Sequence, residues 1–124
     1  MVAAVLAFAA SSAHAQDPDA DKGQQVFKKC RVCHMVGDKA KNRIGPLLND
    51  IIGRKAAAVE KFKYSSAMKA AATAGLIWTE EILDQYLANP RKMVPQTRMA
   101  FGGITKPEDR QNLIAYLKAA SPAK

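Results

Sequence analysis

The chain has 124 residues, of which 48% are hydrophobic and 6% aromatic, and it carries a formal net charge of +8. This length fits one domain, and the apolar content allows a packed core. Basic chains bind nucleic acid, acidic membrane surfaces or acidic proteins. Nucleic-acid binding is disfavoured, because the Lys and Arg residues are scattered rather than clustered among aromatic residues. We therefore expect an acidic protein partner and no nucleic acid.

Residues 1–15 have the pattern of an export signal. The segment is apolar, then rich in small residues, and it ends in Ala13-His14-Ala15, after which a signal peptidase would cleave. A buried N-terminal helix is the alternative, but the polar stretch 16–19 follows at once. No Lys or Arg precedes the apolar run, so the start codon could lie upstream of Met1. The run is shorter than the roughly 20 residues that span a bilayer, which predicts a periplasmic protein of residues 16–124 without a membrane span.

The mature chain would retain the full charge of +8, because residues 1–15 contain no charged side chain. It would lose His14, which makes His34 the single histidine of the mature protein. Any function that needs histidine then depends on this one residue.

The first predicted helix begins at residues 17–19, where acidic side chains favour the positive end of the helix dipole. It ends near Cys33, and one face carries Gly23, Val26, Phe27 and Cys30. Residues 37–55 contain Gly37, Gly45-Pro46 and Gly53 and are predicted to be mainly loop.

Three further segments have helical patterns. Residues 65–72 favour a short helix that Gly75 stops, and a second helix runs from Thr79 to Asn89-Pro90. Residues 90–104 contain two prolines and a Gly-Gly pair, so a loop is expected.

Thr105 and Glu108 have the spacing of a capping box that opens the last helix. The apolar stripe of this helix is Leu113, Ile114, Tyr116, Leu117 and Ala120. No segment alternates as a strand does, so the fold class is all-α, with long loops that need something to pack against.

The two cysteines, Cys30 and Cys33, stand three residues apart and His34 follows directly. A zinc site is disfavoured because the mature chain lacks a fourth ligand, and a thioredoxin-like pair because the strands are absent. A disulfide here would close a very small loop and stabilise little. The C-x-x-C-H spacing instead indicates covalent haem attachment, since side chains at i and i+3 project to one side of a helical turn. His34 would then bind the iron.

The second axial face of the iron needs another ligand, and no second histidine remains after cleavage. Met35 follows the first ligand directly and cannot reach the other face. Met68, Met93 and Met99 remain, each of which could equally be core packing. The pattern favours Met99, because prolines and glycines shape an irregular loop around it, and it leaves Met68 and Met93 open.

Taken together, these motifs resemble class I cytochrome c, close to the mitochondrial type and its soluble bacterial relatives. The resemblance covers nearly all of residues 17–120. It rests on segments in the family's order: Lys22-Gly23, Phe27, Cys30-Arg31-Val32-Cys33-His34, Ile44-Gly45-Pro46-Leu47-Leu48, Gly53-Arg54-Lys55, Phe62-Lys63-Tyr64-Ser65, Trp78, Tyr86-Leu87, Pro90, Thr97-Arg98-Met99, Phe101, Gly103-Ile104 and Leu113-Ile114-Ala115-Tyr116-Leu117.

The resemblance implies a small cytochrome c fold around one haem c, attached at Cys30 and Cys33, with His34 and Met99 as axial ligands. It implies that the Pro46 carbonyl accepts the imidazole N–H of the axial histidine. It also implies a haem pocket made of Phe27, Pro46, Leu48, Arg54, Tyr64, Ser65, Trp78, Tyr86, Leu87, Thr97, Phe101 and Leu117. Within this set, Arg54, Tyr64 and Trp78 would contact the haem propionates.

Two positions depart from the mitochondrial pattern. Met68 replaces an asparagine near the internal propionate, which puts the polar network behind the haem in doubt. Asn42 replaces a second histidine that braces a loop. Residues 69–78 are also longer than that pattern by about three residues, as in some bacterial relatives.

The function implied is that of a one-electron carrier between membrane respiratory or photosynthetic complexes, and not of an enzyme. The chain would be a monomer, and its partners would be the acidic faces of quinol–cytochrome c oxidoreductase and of a terminal oxidase or a photosynthetic reaction centre. Docking would use Lys29, Arg43, Arg91, Lys92, Arg98 and Lys106. Two rivals stay open: a peroxidase-like enzyme with a displaced Met99, and a subunit dedicated to one periplasmic dehydrogenase.

Overall fold

A computed structural model describes residues 17–123, and their regular secondary structure is helical. The leader proposed for residues 1–15 lies outside this part of the chain. The five helices are α1 (Ala20–Phe27), α2 (Ser66–Thr73), α3 (Glu80–Ala88), α4 (Pro90–Met93) and α5 (Pro107–Ala120). The only strand-like pairing within residues 17–123 is one antiparallel bridge between Lys55 and Ile77. The all-α prediction is therefore confirmed.

None of the helices in residues 17–123 has the length and apolar character needed to cross a bilayer.

Helices α1 and α5 cross in close contact. A Cβ atom added to Gly23 would lie 1.9 Å from the carbonyl oxygen of Asn112, so only a glycine permits this approach. The rings of Phe27 and Tyr116 lie 5.2 Å apart beside the crossing. The buried Asn112 side chain accepts a hydrogen bond from the backbone N–H of Asp19 at 2.8 Å. The two ends of the described chain are thus held together.

Three of the predicted helix starts are confirmed, and each carries a side-chain cap. Asp19 accepts from the N–H groups of Asp21 and Lys22, Ser65 from that of Met68, and Thr79 from that of Ile82. Each cap satisfies backbone donors that the first turn of a helix leaves free.

The predicted capping box at the start of α5 is wrong. The N-cap is Lys106, and its side chain makes no cap hydrogen bond. Pro107 occupies the first turn, so the helix begins after Thr105, which stands one residue too early to cap it. The Thr105 carbonyl instead accepts from the Arg110 guanidinium at 3.1 Å.

Two other boundaries differ from the prediction. Residues 90–104 are not all loop, because Pro90 opens the short helix α4, where its missing N–H costs little. Helix α1 ends at Phe27 rather than near Cys33. Beyond that point Lys28 and Lys29 donate to carbonyls three residues back, and the chain continues as tight turns to His34.

The buried core joins α3 and α5 to the loops. It contains Ile51, Trp78, Leu83, Tyr86, Leu87, Val94, Ile104, Leu113, Ile114 and Leu117. Against it pack half-buried apolar side chains, among them Met68 from α2 and, from the segments between helices, Cys30, Leu48, Met99 and Phe101. Several of the predicted site residues therefore lie in the core or pack against it.

Candidate cofactor site

The histidine side of the site is built by two adjacent loops. Nδ1 of His34 lies 2.7 Å from the carbonyl oxygen of Pro46. A carbonyl oxygen only accepts, so Nδ1 carries the proton and donates it. The lone pair of Nε2 is then free to bind a metal, and the hydrogen bond fixes the orientation of the ring.

The imidazole lies directly against Gly45. A Cβ atom on this glycine would come within 2.4 Å of Cε1 of His34. The Gly45 N–H also donates to the Cys33 carbonyl at 2.9 Å, which holds the two loops side by side. Sequence reasoning gave Gly45 no role, and the Gly-Pro pair was the signal that could have found it.

Burial lowers the pKa of His34, and the positive charge of Arg54 adds to the decrease. The hydrogen bond to the Pro46 carbonyl opposes it. The ring is therefore neutral at pH 7, which is the form that binds metals.

The two cysteines are free of any disulfide. Burial raises the pKa of the Cys30 thiol to about 11, although the charge of Lys29 lowers it in part. Both thiols lie in the turns that precede His34, and the Cys30 carbonyl accepts from the N–H groups of Cys33 and His34 at 3.0 and 2.9 Å. Both sulfurs thus belong to one compact turn that ends at the histidine.

The methionine side of the site is formed by the loop after α4. The Tyr86 hydroxyl donates to Sδ of Met99 at 3.8 Å, and the Met99 N–H donates to Oγ1 of Thr97 at 3.2 Å. Burial raises the pKa of Tyr86, while its hydrogen bond with Thr97 opposes the increase. Tyr86 therefore stays protonated at neutral pH, and Met99 is held at its sulfur by Tyr86 and at its backbone N–H by Thr97.

A cluster of polar groups lies behind the core. The Arg54 guanidinium donates through Nη1 to the carbonyls of Leu47 and Asn49 at 3.2 and 2.9 Å. Its Nε is buried and has no hydrogen-bond partner among the residues that the structure describes. The Tyr64 hydroxyl accepts from the Val59 N–H at 3.0 Å, so its own proton remains available for donation. A buried donor without a partner is costly, and an anionic group of a cofactor would satisfy it.

The donors present fit a c-type haem. One turn presents two thiols beside a neutral imidazole, a thioether lies in a second loop, and an unpaired guanidinium N–H is buried nearby. Imidazole and thioether ligands suit iron, and carboxylates placed beside the guanidinium would be neutralised.

Burial separates the predicted pocket from the predicted docking residues. All of the pocket residues are buried or half-buried: Phe27, Pro46, Leu48, Arg54, Tyr64, Ser65, Trp78, Tyr86, Leu87, Thr97, Phe101 and Leu117. All of the docking residues are exposed: Lys29, Arg43, Arg91, Lys92, Arg98 and Lys106. The Ser65 hydroxyl accepts from the Met68 N–H and so caps α2, which leaves its own proton available for donation.

Asn42 connects two loops, at the position where the mitochondrial pattern has a second histidine. Its amide donates to the Glu60 carbonyl and accepts from the Leu47 N–H, both at 3.0 Å. Met68 is half-buried and packs against the core.

Comparison with known proteins identifies the family of the chain. The family profile described as "Cytochrome c" matches residues 20–121. The chain is 48% identical over 117 residues to "Cytochrome c2" of Rhodomicrobium vannielii, covering 94% of this chain and 90% of that protein. It is 50% identical over 96 residues to "Cytochrome c2" of Afifella marina, covering 77% of each. The solved structure of cytochrome c2 from Rhodospirillum centenum matches with a TM-score of 0.76 and 40% identity, covering 84% of this chain and 99% of that one.

A profile match over most of the chain, relatives of this identity and a shared fold lead to one assignment. The chain belongs to the cytochrome c family, and it is a class I c-type cytochrome that binds haem c covalently and carries single electrons.

Proposed function

We propose that Cys30 and Cys33 would hold the haem through thioether bonds and that His34 and Met99 would be the two protein ligands of its iron. When bound, the haem supplies an iron that gains or loses one electron. The observation that carries the proposal is the 2.7 Å hydrogen bond from Nδ1 of His34 to the Pro46 carbonyl. This bond leaves the Nε2 lone pair of His34, the single histidine of the mature chain, free to bind the iron.

Two ligands held in this way leave no position for a substrate, which favours electron transfer over an enzymatic reaction at the iron. The Met99 thioether is supported by the Tyr86 hydroxyl at 3.8 Å, and Thr97 holds its backbone N–H at 3.2 Å. These contacts disfavour the peroxidase-like alternative, which needs a weak or displaced methionine.

Arg54 and Tyr64 would bind the haem propionates, with Trp78 beside them. The unpaired Nε of Arg54 and the free proton of the Tyr64 hydroxyl support this role. Trp78 is buried, and its ring lies 4.7 Å from that of Tyr86. Charged propionates in a small core need such partners, because an unpaired buried charge is costly.

The partners would be acidic faces of redox proteins: quinol–cytochrome c oxidoreductase on one side, and a terminal oxidase or a photosynthetic reaction centre on the other. The net charge of +8 and the exposure of the six docking residues support this assignment. Export through residues 1–15 and a periplasmic location would place the protein beside such partners.

The test is a visible spectrum of the oxidised protein and of a Met99→Ala variant. We expect the weak red-edge charge-transfer band of an iron(III)–methionine bond in the parent and its loss in the variant. A band that survives would assign the ligand to Met68 or Met93. A high-spin parent spectrum would indicate an open iron site and favour the enzyme.

A further inference from the structure

Arg110 lies in the first turns of α5, yet its guanidinium reaches out of the helix to three acceptors. Nε donates to Oδ1 of Asp84 at 2.9 Å. Nη1 donates to the carbonyls of Ile104 and Thr105 at 2.8 and 3.1 Å. The Arg110 and Asp84 side chains are only 12% and 25% exposed. Charge-assisted hydrogen bonds of this kind are stronger than those between neutral groups and gain further from partial burial.

These carbonyls belong to the end of the loop that carries Met99. Ile104 is 3% exposed, and its N–H donates to the Leu87 carbonyl at 2.8 Å. Gly103 approaches the end of α3 so closely that a Cβ atom would lie 2.3 Å from the Ala88 carbonyl oxygen. Five residues beyond Met99, the chain is therefore held on its N–H side by α3 and on its carbonyl side by Arg110.

Helix α3 contacts both parts of this loop. Tyr86 donates to the Met99 sulfur, and Asp84 anchors Arg110, which binds the end of the loop. Gln111 also donates to Oδ1 of Asp84 at 3.1 Å, so this carboxylate oxygen has two donors from α5. The ion pair thus connects the start of α5, the middle of α3 and the loop end.

We infer that Arg110 is a positioning residue for Met99: it anchors the loop end to α3 and thereby limits how often the thioether leaves the iron. The inference rests on the proposed role of Met99 as a ligand. Without the guanidinium, the two carbonyls and Asp84 lose a shared partner, and local opening of the loop becomes easier.

The experiment measures how fast saturating imidazole binds to the oxidised holoprotein, because the rate is then set by departure of the methionine. Charged hydrogen bonds of this kind lead us to expect Arg110→Ala to raise this rate about tenfold or more. The imidazole-binding rate of Arg110→Lys should lie between those of Arg110→Ala and the parent, since one ammonium group can keep the contact with Asp84 but not those with both carbonyls. Asp84→Asn should also raise the rate. Arg110→Lys and Asp84→Asn serve as the test if Arg110→Ala does not fold.

The matched control is Lys118→Gln. Lys118 also joins α5 to α3, through an ion pair with Glu80, but both side chains are 54% exposed, and within residues 17–123 their one side-chain hydrogen bond is to each other. Its loss should leave the imidazole rate within about twofold of the parent. Thermal unfolding is recorded alongside, because a role confined to general stability would lower the melting temperature and leave the imidazole rate unchanged.

Two failures are distinguishable. A parent without the red-edge band overturns the assignment of Met99, and this inference with it. A parent with the band, together with Arg110 variants that bind imidazole at the parental rate, overturns the inference alone. A Lys118→Gln variant as fast as Arg110→Ala would also overturn it, because any contact between α3 and α5 would then serve.

Discussion

The His34 imidazole lies against a residue that has no side chain. Gly45 leaves the ring room to turn its Nδ1–H toward the Pro46 carbonyl, and the position a Cβ would take is 2.4 Å from Cε1. The orientation of the His34 ring therefore depends on the lack of a side chain at Gly45 as well as on the hydrogen bond to Pro46.

We expect Gly45→Ala to destabilise the holoprotein by about 1–3 kcal/mol, the usual cost of forcing extra volume into a packed site. The ring or the loop must move, since the nearest atoms belong to the ring itself. Denaturant unfolding measures the loss. Gly102→Ala is the control, because a Cβ there meets nothing within 4 Å. Equal stability of the two variants would contradict a steric role for Gly45.

Single residues also show how far sequence reasoning reaches. Cys30, Cys33 and His34 can be recognised from their spacing in the sequence, because covalent haem attachment requires that spacing. Arg110 has no such signature: two of its acceptors are backbone carbonyls, which any sequence supplies. Its role becomes visible only when the fold brings α5, α3 and the loop end together.

At the scale of elements, the helix boundaries that depend on residues close together in the sequence could be predicted from it. The three helix starts predicted near Asp19, Ser65 and Thr79 are confirmed, and each is capped by a contact within four residues. The start of α5 was mispredicted: the helix starts at Pro107 with Lys106 as its N-cap, so Thr105 stands one residue too early to cap it. Helix α4 was missed because a Pro-rich segment is also compatible with loop.

The long loops are joined by side chains instead of by strands. Asn42 links residues 42–47 to the Glu60 carbonyl with two hydrogen bonds of 3.0 Å. We expect Asn42→Ala to cost about 1–2 kcal/mol in urea unfolding, because two backbone groups lose their partner. An amide does not titrate, so the loss should be the same at pH 5 and pH 8.

The adjacent substitution Lys41→Ala provides the control for this brace, since Lys41 is exposed. Its effect should stay within about 0.5 kcal/mol. An Asn42→Ala variant as stable as this control, or a loss that changes with pH, would show that the loops are held by other contacts.

At the scale of the molecule, the chain combines a strongly positive charge with a cofactor site bounded by long loops. A net charge of +8 on 124 residues attracts acidic partners from a distance, and salt screens this attraction over about 8 Å at physiological ionic strength. The charge alone does not determine orientation. For that, the charged groups must surround the haem edge, as the family resemblance implies for the six docking residues.

A comparison of two double variants separates total charge from its location. Arg43→Gln with Lys92→Gln removes two predicted docking charges, and Lys22→Gln with Lys69→Gln removes two exposed charges elsewhere; both lower the net charge from +8 to +6 (8 − 2). We expect the first pair to slow electron transfer with quinol–cytochrome c oxidoreductase about five- to tenfold at low salt, because steering depends on local field. The second pair should have a smaller effect, and the difference should shrink as salt is added. Equal slowing by both pairs would mean that net charge, and not a docking face, controls association.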